Sequence, residues 1–212
     1  MPRTTPPFRA DHVGSLLRPR RLLQARDDHA AGRTTAEELR AVEDDAIREA
    51  VAMQRDVGLQ SATDGEFRRA SWHMDFIYQL GGVSRAPEHL KVQFRNPTGT
   101  IEFTSAALKI DGKVRLEQTI FADAFNALQA MVTAATPKLT IPSPNMVHYR
   151  GGQAAIDRDV YPDLEQFWSD LGDAYAEQVR RIGELGCSYL QFDDSSSGWA
   201  PVAWTACNPC YN

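Results

Sequence analysis

Cysteine is scarce, with three in 212 residues: Cys187, Cys207 and Cys210. So few cannot build a disulfide scaffold, and they fit a reducing, cytoplasmic setting. No apolar run approaches the roughly 18 uninterrupted residues that a membrane-spanning helix needs, which argues against a helical membrane protein. Met1 to His12 lacks the apolar core of a secretory signal, so no leader is expected. Basic residues are outnumbered, 23 Lys and Arg against 28 Asp and Glu, and the net charge of −5 has the wrong sign for a general nucleic-acid binder. Repeats of 20–50 residues and low-complexity tracts are missing as well. So are a phosphate loop, a nucleophile triad and a dinucleotide fingerprint, since Gly81-Gly82 and Gly151-Gly152 lack the spacing. What is present is ordinary for a globular domain: 42% hydrophobic and 24% charged residues.

The pattern along the chain alternates. Arg9 to Ser15 reads as a short extended segment entering a Gly-Ser loop. Pro19 opens a helix to about Ala30, with Gly32 as its stop. Thr34-Thr35-Ala36-Glu37-Glu38 offers two overlapping capping boxes ahead of a helix ending at Val57-Gly58, whose Leu39, Val42, Ile47, Val51 and Met53 run along or near one face. Leu59 to Thr63 then reads as a buried strand. From about Lys91 to Glu117 the residues alternate, and Asp111-Gly112 between two such runs predicts a hairpin turn. Helix returns from about Phe121 to Ala134, followed by a strand at Lys138 to Ile141. A long helix is expected over about Leu164 to Leu185 with Gly186 as its stop, and a last strand over Ser188 to Phe192. Strand–helix alternation with polar residues just after the strands is the signature of parallel βα units. The expected fold is therefore α/β, with about four main strands in parallel βα units and a β-hairpin insertion. A closed eight-stranded barrel typically takes roughly 250 residues, more than this chain has.

Three loops carry the candidate chemistry. His12-Val13-Gly14-Ser15 puts a glycine, where backbone can approach a ligand, beside a hydroxyl; a tight turn would use the same residues. Asp64-Gly65-Glu66 sets two carboxylates behind a buried strand, followed by Arg68-Arg69, and carboxylates held there suit an ammonium or a proton in transit. Asp193-Asp194 repeats the arrangement after the last strand. His148 reads as a solvated or structural histidine, and Trp72 and His73 as packing residues. Cys207-Asn208-Pro209-Cys210 supplies two ligands where a zinc site takes four, or three plus water. A thioredoxin-type role would need that pair at a helix start.

Four blocks in order carry a resemblance: Arg9-Ala10-Asp11-His12-Val13-Gly14-Ser15-Leu16-Leu17-Arg18-Pro19, Thr63-Asp64-Gly65-Glu66-Phe67-Arg68-Arg69, Ile141-Pro142-Ser143-Pro144 and Leu190-Gln191-Phe192-Asp193-Asp194. Together, over about Phe8 to Asp194, they resemble the catalytic barrel of cobalamin-independent methionine synthase, most closely its short stand-alone bacterial relatives. The resemblance implies an α/β fold that is an incomplete TIM-type (β/α)8 barrel, roughly the first half to five-eighths, with a β-hairpin insertion. The activity it implies is that of a zinc-dependent methyltransferase that moves a methyl group from 5-methyltetrahydrofolate, as its polyglutamate, to homocysteine to form methionine. It also implies that Ser15 and the Gly14 backbone hold the homocysteine carboxylate, while Glu66 and Asp193 bind its ammonium. The family's zinc ligands, a His-x-Cys pair, a glutamate and a distant cysteine, have no counterparts that can be placed here.

The last 18 residues, 195–212, contain no Asp, Glu, Lys, Arg or His, yet hold two of the three cysteines and two of the four tryptophans. A run so uncharged is expected by chance in under roughly one window in a hundred. The division expected is a partial barrel over 1–194 and an atypical, non-native tail over 195–212. Two outcomes stay open beside methyl transfer to homocysteine: alkyl transfer to a different thiol, and an inactive truncated fragment that at most binds an amino acid.

Overall fold

The computed structural model describes residues 5–86, 90–96, 99–105, 107–149 and 152–194. The tail 195–212, with Cys207 and Cys210, lies outside them, as does Gly151. Helix α1 (Arg20–Ala30) follows Pro19, whose fixed φ suits a helix entrance. Helix α2 (Ala36–Asp56) starts on one of the two predicted capping boxes: Thr35 Oγ1 accepts from the Glu38 N–H at 3.1 Å, and Glu38 Oε2 accepts from the Thr35 N–H at 2.8 Å. Its Ala46, Ile47, Ala50 and Val51 are buried against Leu22 of α1, Ala62, Phe67 and Leu128.

The parallel strands are short. β1 (Ser61–Ala62) realises only the centre of the predicted Leu59–Thr63 run. It pairs in parallel with β6 (Thr136–Pro137), and the chain continues after Lys138 as β7 (Leu139–Pro142), which pairs in parallel with β8 (Leu190–Asp193). The run 136–142 therefore has β1 along one side and β8 along the other. Leu139 and Ile141 are buried in the larger core, with α3 (Met74–Ile77), Phe125 of α4 (Ala122–Met131), Met146 and Val147 of α5 (Asn145–Tyr149), and α6 (Leu164–Glu184). α6 buries Phe167, Leu171, Ala174, Tyr175, Gln178 and Ile182, a stripe at helical spacing. Its buried Gln178 spans both backbone groups of Ile120 at 2.9 Å each, and Gly186 ends the helix region at φ 91°. Among the described residues the strands form two parallel pairs and two antiparallel pairs, and no closed barrel.

The predicted turn at Asp111-Gly112 is corrected by the structure. β5 (Leu108–Leu116) continues past those residues as one strand, without reversing, and pairs antiparallel with β2 (Leu80–Arg85). The irregularity is a bulge on β5 itself: residues 111–114 lie between the paired Ile110 and Arg115 and face the single residue Gly82, between Gly81 and Val83 on β2, whose φ is 81°. A Cβ on Gly82 would lie 2.4 Å from the Lys113 carbonyl oxygen, and one on Gly112 would lie 3.0 Å from the Gly82 Cα. Gly112 thus serves close strand approach rather than a turn. A separate antiparallel pair is formed by β3 (Leu90–Asn96) and β4 (Gly99–Ser105), whose connection lies outside the described residues.

Candidate functional site

Local backbone chemistry brings Glu66 inward. Beyond β1, Gly65 and Glu66 both adopt left-handed φ, 66° and 59°. That conformation is strained for glutamate and is held by several bonds. Asp64 Oδ1 accepts from the Glu66 N–H at 2.9 Å, and Arg18 Nη2 donates to the Glu66 carbonyl at 3.0 Å. The Leu16 N–H donates to the Gly65 carbonyl at 3.1 Å, tying this turn to the Gly14-Ser15 loop. The Glu66 side chain is 2% exposed. Its Oε2 accepts from the Ser15 hydroxyl, and its Oε1 accepts from Thr140 Oγ1 at 2.7 Å and from Arg69 Nη1 at 3.3 Å.

Gly14 is fitted to the same spot. Its φ is 144°, and an added Cβ would lie 2.5 Å from Thr140 Cγ2. The Gly14 carbonyl accepts from Thr63 Oγ1 at 2.7 Å. The loop therefore rests directly on the Thr140 side chain of β7, which only a residue without a Cβ allows.

Asp193 arrives from the end of β8. Gln191 Nε2 donates both to Asp193 Oδ1 and, at 2.8 Å, to the Val13 carbonyl, so one carboxamide joins Asp193 to the loop. Burial pushes the Asp193 carboxyl above its ordinary value; the Gln191 bond opposes this, the Glu66 charge adds to it, and Arg69 and Lys138 counter it.

Ser15, Glu66 and Asp193 line one cleft of about 410 Å³, together with Val13, Trp72, Gln191, Phe192 and Asp194. Gly14, between Val13 and Ser15, is not among the lining residues. Carboxylates and a hydroxyl gather at one end, with apolar surface from Val13, Trp72 and Phe192 beside them. Such a cleft suits a small molecule with a cationic head and an apolar or thioether body. Sequence reasoning passed over Thr140, Gln191 and Arg69 as site residues and read Trp72 as packing. The alternation Tyr189, Gln191, Asp193 along one strand was the available signal for Gln191. His148 is half-buried beside Phe167 and Trp168, and burial lowers its pKa, so it packs rather than lines the cleft.

The other end of the parallel strands carries a second polar cluster. The fully buried Lys138 donates to Asp11 Oδ2 at 2.9 Å and to the His12 carbonyl. Asp11 also accepts from the Tyr189 hydroxyl and, at 2.8 Å, from Ser61. Burial acts to raise the Asp11 carboxyl, but the bonds from Tyr189, Lys138, Ser61 and the His12 backbone outweigh it and hold it at about 2.

Among the described residues no group of three or more His, Cys, Asp or Glu side chains is placed to hold a metal ion, so the residues there do not fit the zinc that the resemblance implies. No helix of the described residues is long and apolar enough to cross a membrane.

No known family profile matches the chain. It is 40% identical over 199 residues to the uncharacterized protein YxjG of Bacillus subtilis, covering 93% of this chain and 50% of that protein. A methionine synthase of Sulfolobus acidocaldarius is 23% identical over 186 residues, covering 86% of this chain and 50% of that protein. Among solved structures, a candidate vitamin-B12-independent methionine synthase from Listeria monocytogenes matches with a TM-score of 0.75 at 36% identity, over 94% of this chain and 57% of that one. A B12-independent methionine synthase from Shewanella, solved in complex with selenomethionine, matches in fold with a TM-score of 0.58 at 20% identity, over 79% of this chain and 48% of that one. The chain spans about half the length of the sequence relatives it matches, and its architecture is similar to the corresponding part of B12-independent methionine synthases.

Proposed function

We propose that the cleft is the amino-acid site of a methionine-synthase-type methyl transfer, and that the parallel strands belong to a TIM-type barrel. The observation that carries the reading is the convergence of Glu66 and Asp193, from two separate strand ends, on one cleft with apolar walls. In the reaction a sulfur–carbon bond forms on homocysteine and the nitrogen–carbon bond of the methylfolate breaks, while the thiol proton ends on the folate nitrogen. This chain's part is binding and orientation. Glu66 and Asp193 take the α-ammonium, the Gly14-Ser15 loop faces the carboxylate, and Val13, Trp72 and Phe192 enclose the thioether end. That the Shewanella enzyme of similar fold was solved in complex with selenomethionine agrees with an amino-acid ligand.

Titration calorimetry tests this with L-methionine, L-homocysteine and 4-mercaptobutyrate, which is homocysteine without its amine. The two amino acids should bind and the deamino thiol should not. Glu66→Gln should weaken binding by about 10- to 100-fold, as expected for a charged hydrogen bond worth roughly 1.5–3 kcal/mol. Equal binding of homocysteine and 4-mercaptobutyrate would overturn the reading.

A further inference from the structure

Glu66 and Asp193 are acidic neighbours in one cleft, and the Glu66 charge disfavours the ionised form of Asp193. The described lining of the cleft contains no cation to offset them. The cation lies behind it. Arg69, with its side chain 5% exposed, contacts Glu66 Oε1 through Nη1 at 3.3 Å and the Trp72 carbonyl through the same nitrogen at 3.4 Å. Its Nη2 donates to the Thr140 carbonyl at 2.8 Å, and its guanidinium carbon lies 4.2 Å from the centre of the Phe121 ring. Thr140 closes the triangle, since its hydroxyl holds the same Glu66 oxygen.

We propose that Arg69 is a positioning residue of this cleft: its planar fork fixes Glu66 Oε1 and the Trp72 wall together and offsets one of the two carboxylate charges, leaving the site matched to a single ammonium. The inference rests on the reading of the cleft as an amino-acid site. The geometry demands a fork. One guanidinium reaches three acceptors on the Glu66 turn, the Trp72 turn and β7 while lying over a ring, which an ammonium on a flexible stem cannot reproduce. Occupying Oε1 this way leaves Oε2, shared with Ser15, as the oxygen available to a ligand. Other charged groups near the two carboxylates are Arg18 at the Glu66 carbonyl, Asp64 at the Glu66 N–H, Asp194 on the cleft wall, and Lys138, which acts on Asp193 at a distance.

The test uses Arg69→Met and Arg69→Lys, followed by carbon-detected NMR titration of the Asp193 carboxyl and by calorimetry with L-methionine. Arg69→Met should move the Asp193 midpoint upward by up to about one pH unit and weaken L-methionine about tenfold. Arg69→Lys, which keeps the charge and loses the fork, should return the midpoint to the wild-type value while binding stays weakened. Wild-type midpoint and affinity in Arg69→Met would overturn the proposal, and so would full wild-type affinity in Arg69→Lys. If Arg69→Met does not fold, the lysine variant decides alone by the same criterion. Failure of the unmodified protein to bind L-methionine would instead remove the amino-acid reading, and the Asp193 titration would still decide the electrostatic role of Arg69.

Discussion

Lys138 and Asp11 allow a sharp stability experiment, because the two sides of their ion pair are not equally buried. The Lys138 side chain is 0% exposed and the Asp11 side chain 19%. Truncating Asp11 leaves a fully buried ammonium with the His12 carbonyl as its remaining described acceptor, the situation that typically costs about 3–5 kcal/mol. Lys138→Met instead leaves a partly hydrated carboxylate that keeps its bonds from Tyr189 and Ser61, while a chain of similar length fills the space. The loss there is one charged hydrogen bond and one bond to a carbonyl, partly repaid by the desolvation of the ammonium no longer required, or about 1–2 kcal/mol net. Asp11→Ala should therefore destabilise more than Lys138→Met by about 2 kcal/mol, read as midpoint shifts in urea unfolding at constant slope. The pH dependence has a definite sign. A carboxyl held at about 2 against an ordinary 3.8 stabilises the fold fully above its unfolded value, and that contribution is lost as pH falls from about 4 toward 2. Asp11→Ala should flatten the acid loss over this window. If Lys138→Met proves the more damaging variant at neutral pH, the desolvation argument is refuted.

Three further outcomes follow from the cleft. Gly14→Ala must push against Thr140 Cγ2, 2.5 Å away, at a φ that side chains rarely adopt, so it should lose about 1–3 kcal/mol and melt several degrees lower; an unchanged melting temperature would show that the loop shifts freely. Asp193 has its carboxyl raised by burial, so its ionisation opposes folding as pH rises through the ordinary carboxylate value to the raised one. Asp193→Asn should then melt above the parent protein at pH 7 and alike at pH 3, and the reverse order at pH 7 would contradict the burial argument. Excess EDTA should leave L-methionine binding unchanged, because carboxylates and backbone groups make the proposed contacts; a tenfold loss would bring a metal into the binding step.

Long helices were legible in the sequence because each has its own local punctuation. Thr35 with Glu38 marks the start of α2, and Gly186 marks the end of the α6 region, without reference to the rest of the fold. Ser15, Glu66 and Asp193 were legible as polar residues just beyond buried strands, and the structure brings all three into one cleft. The turn at Asp111-Gly112 was misread because its local signal is real but marks a bulge within β5, where Gly112 lets Gly82 of β2 approach closely, and not a chain reversal. Arg69 escaped for a similar reason. Adjacent arginines look like surface charge, and only tertiary structure sends Arg68 to Glu43 and Asp44 while turning Arg69 inward to Glu66 and Thr140.

Extended chain turns alternate residues to opposite sides, and that period of two explains why both polar clusters lie on one side of the same strands. Asp11, Ser61, Lys138 and Tyr189 meet at the N-terminal ends. Two residues further on, Thr63 bonds the Gly14 carbonyl, Thr140 holds Glu66, and Gln191 joins the Val13 carbonyl to Asp193. The next step reaches Ser15 and Asp193 at the cleft. Residues of the opposite phase face the other way: Ala62, Leu139 and Ile141 are buried in the apolar cores, and His12 meets Gln54 of α2 at 2.8 Å. The stabilising ion pair and the cleft are thus successive layers of one polar face rather than independent features. The middle layer connects them through single side chains. Thr140→Val keeps the shape but removes the hydroxyl, so it should spare the Lys138–Asp11 end and release one bond from Glu66 Oε1. Its expected signature is a weaker affinity for L-methionine, about tenfold, with a stability loss in urea unfolding of no more than about 1–1.5 kcal/mol. A large stability loss with unchanged affinity would show that Thr140 serves packing and that the layers are not coupled through it.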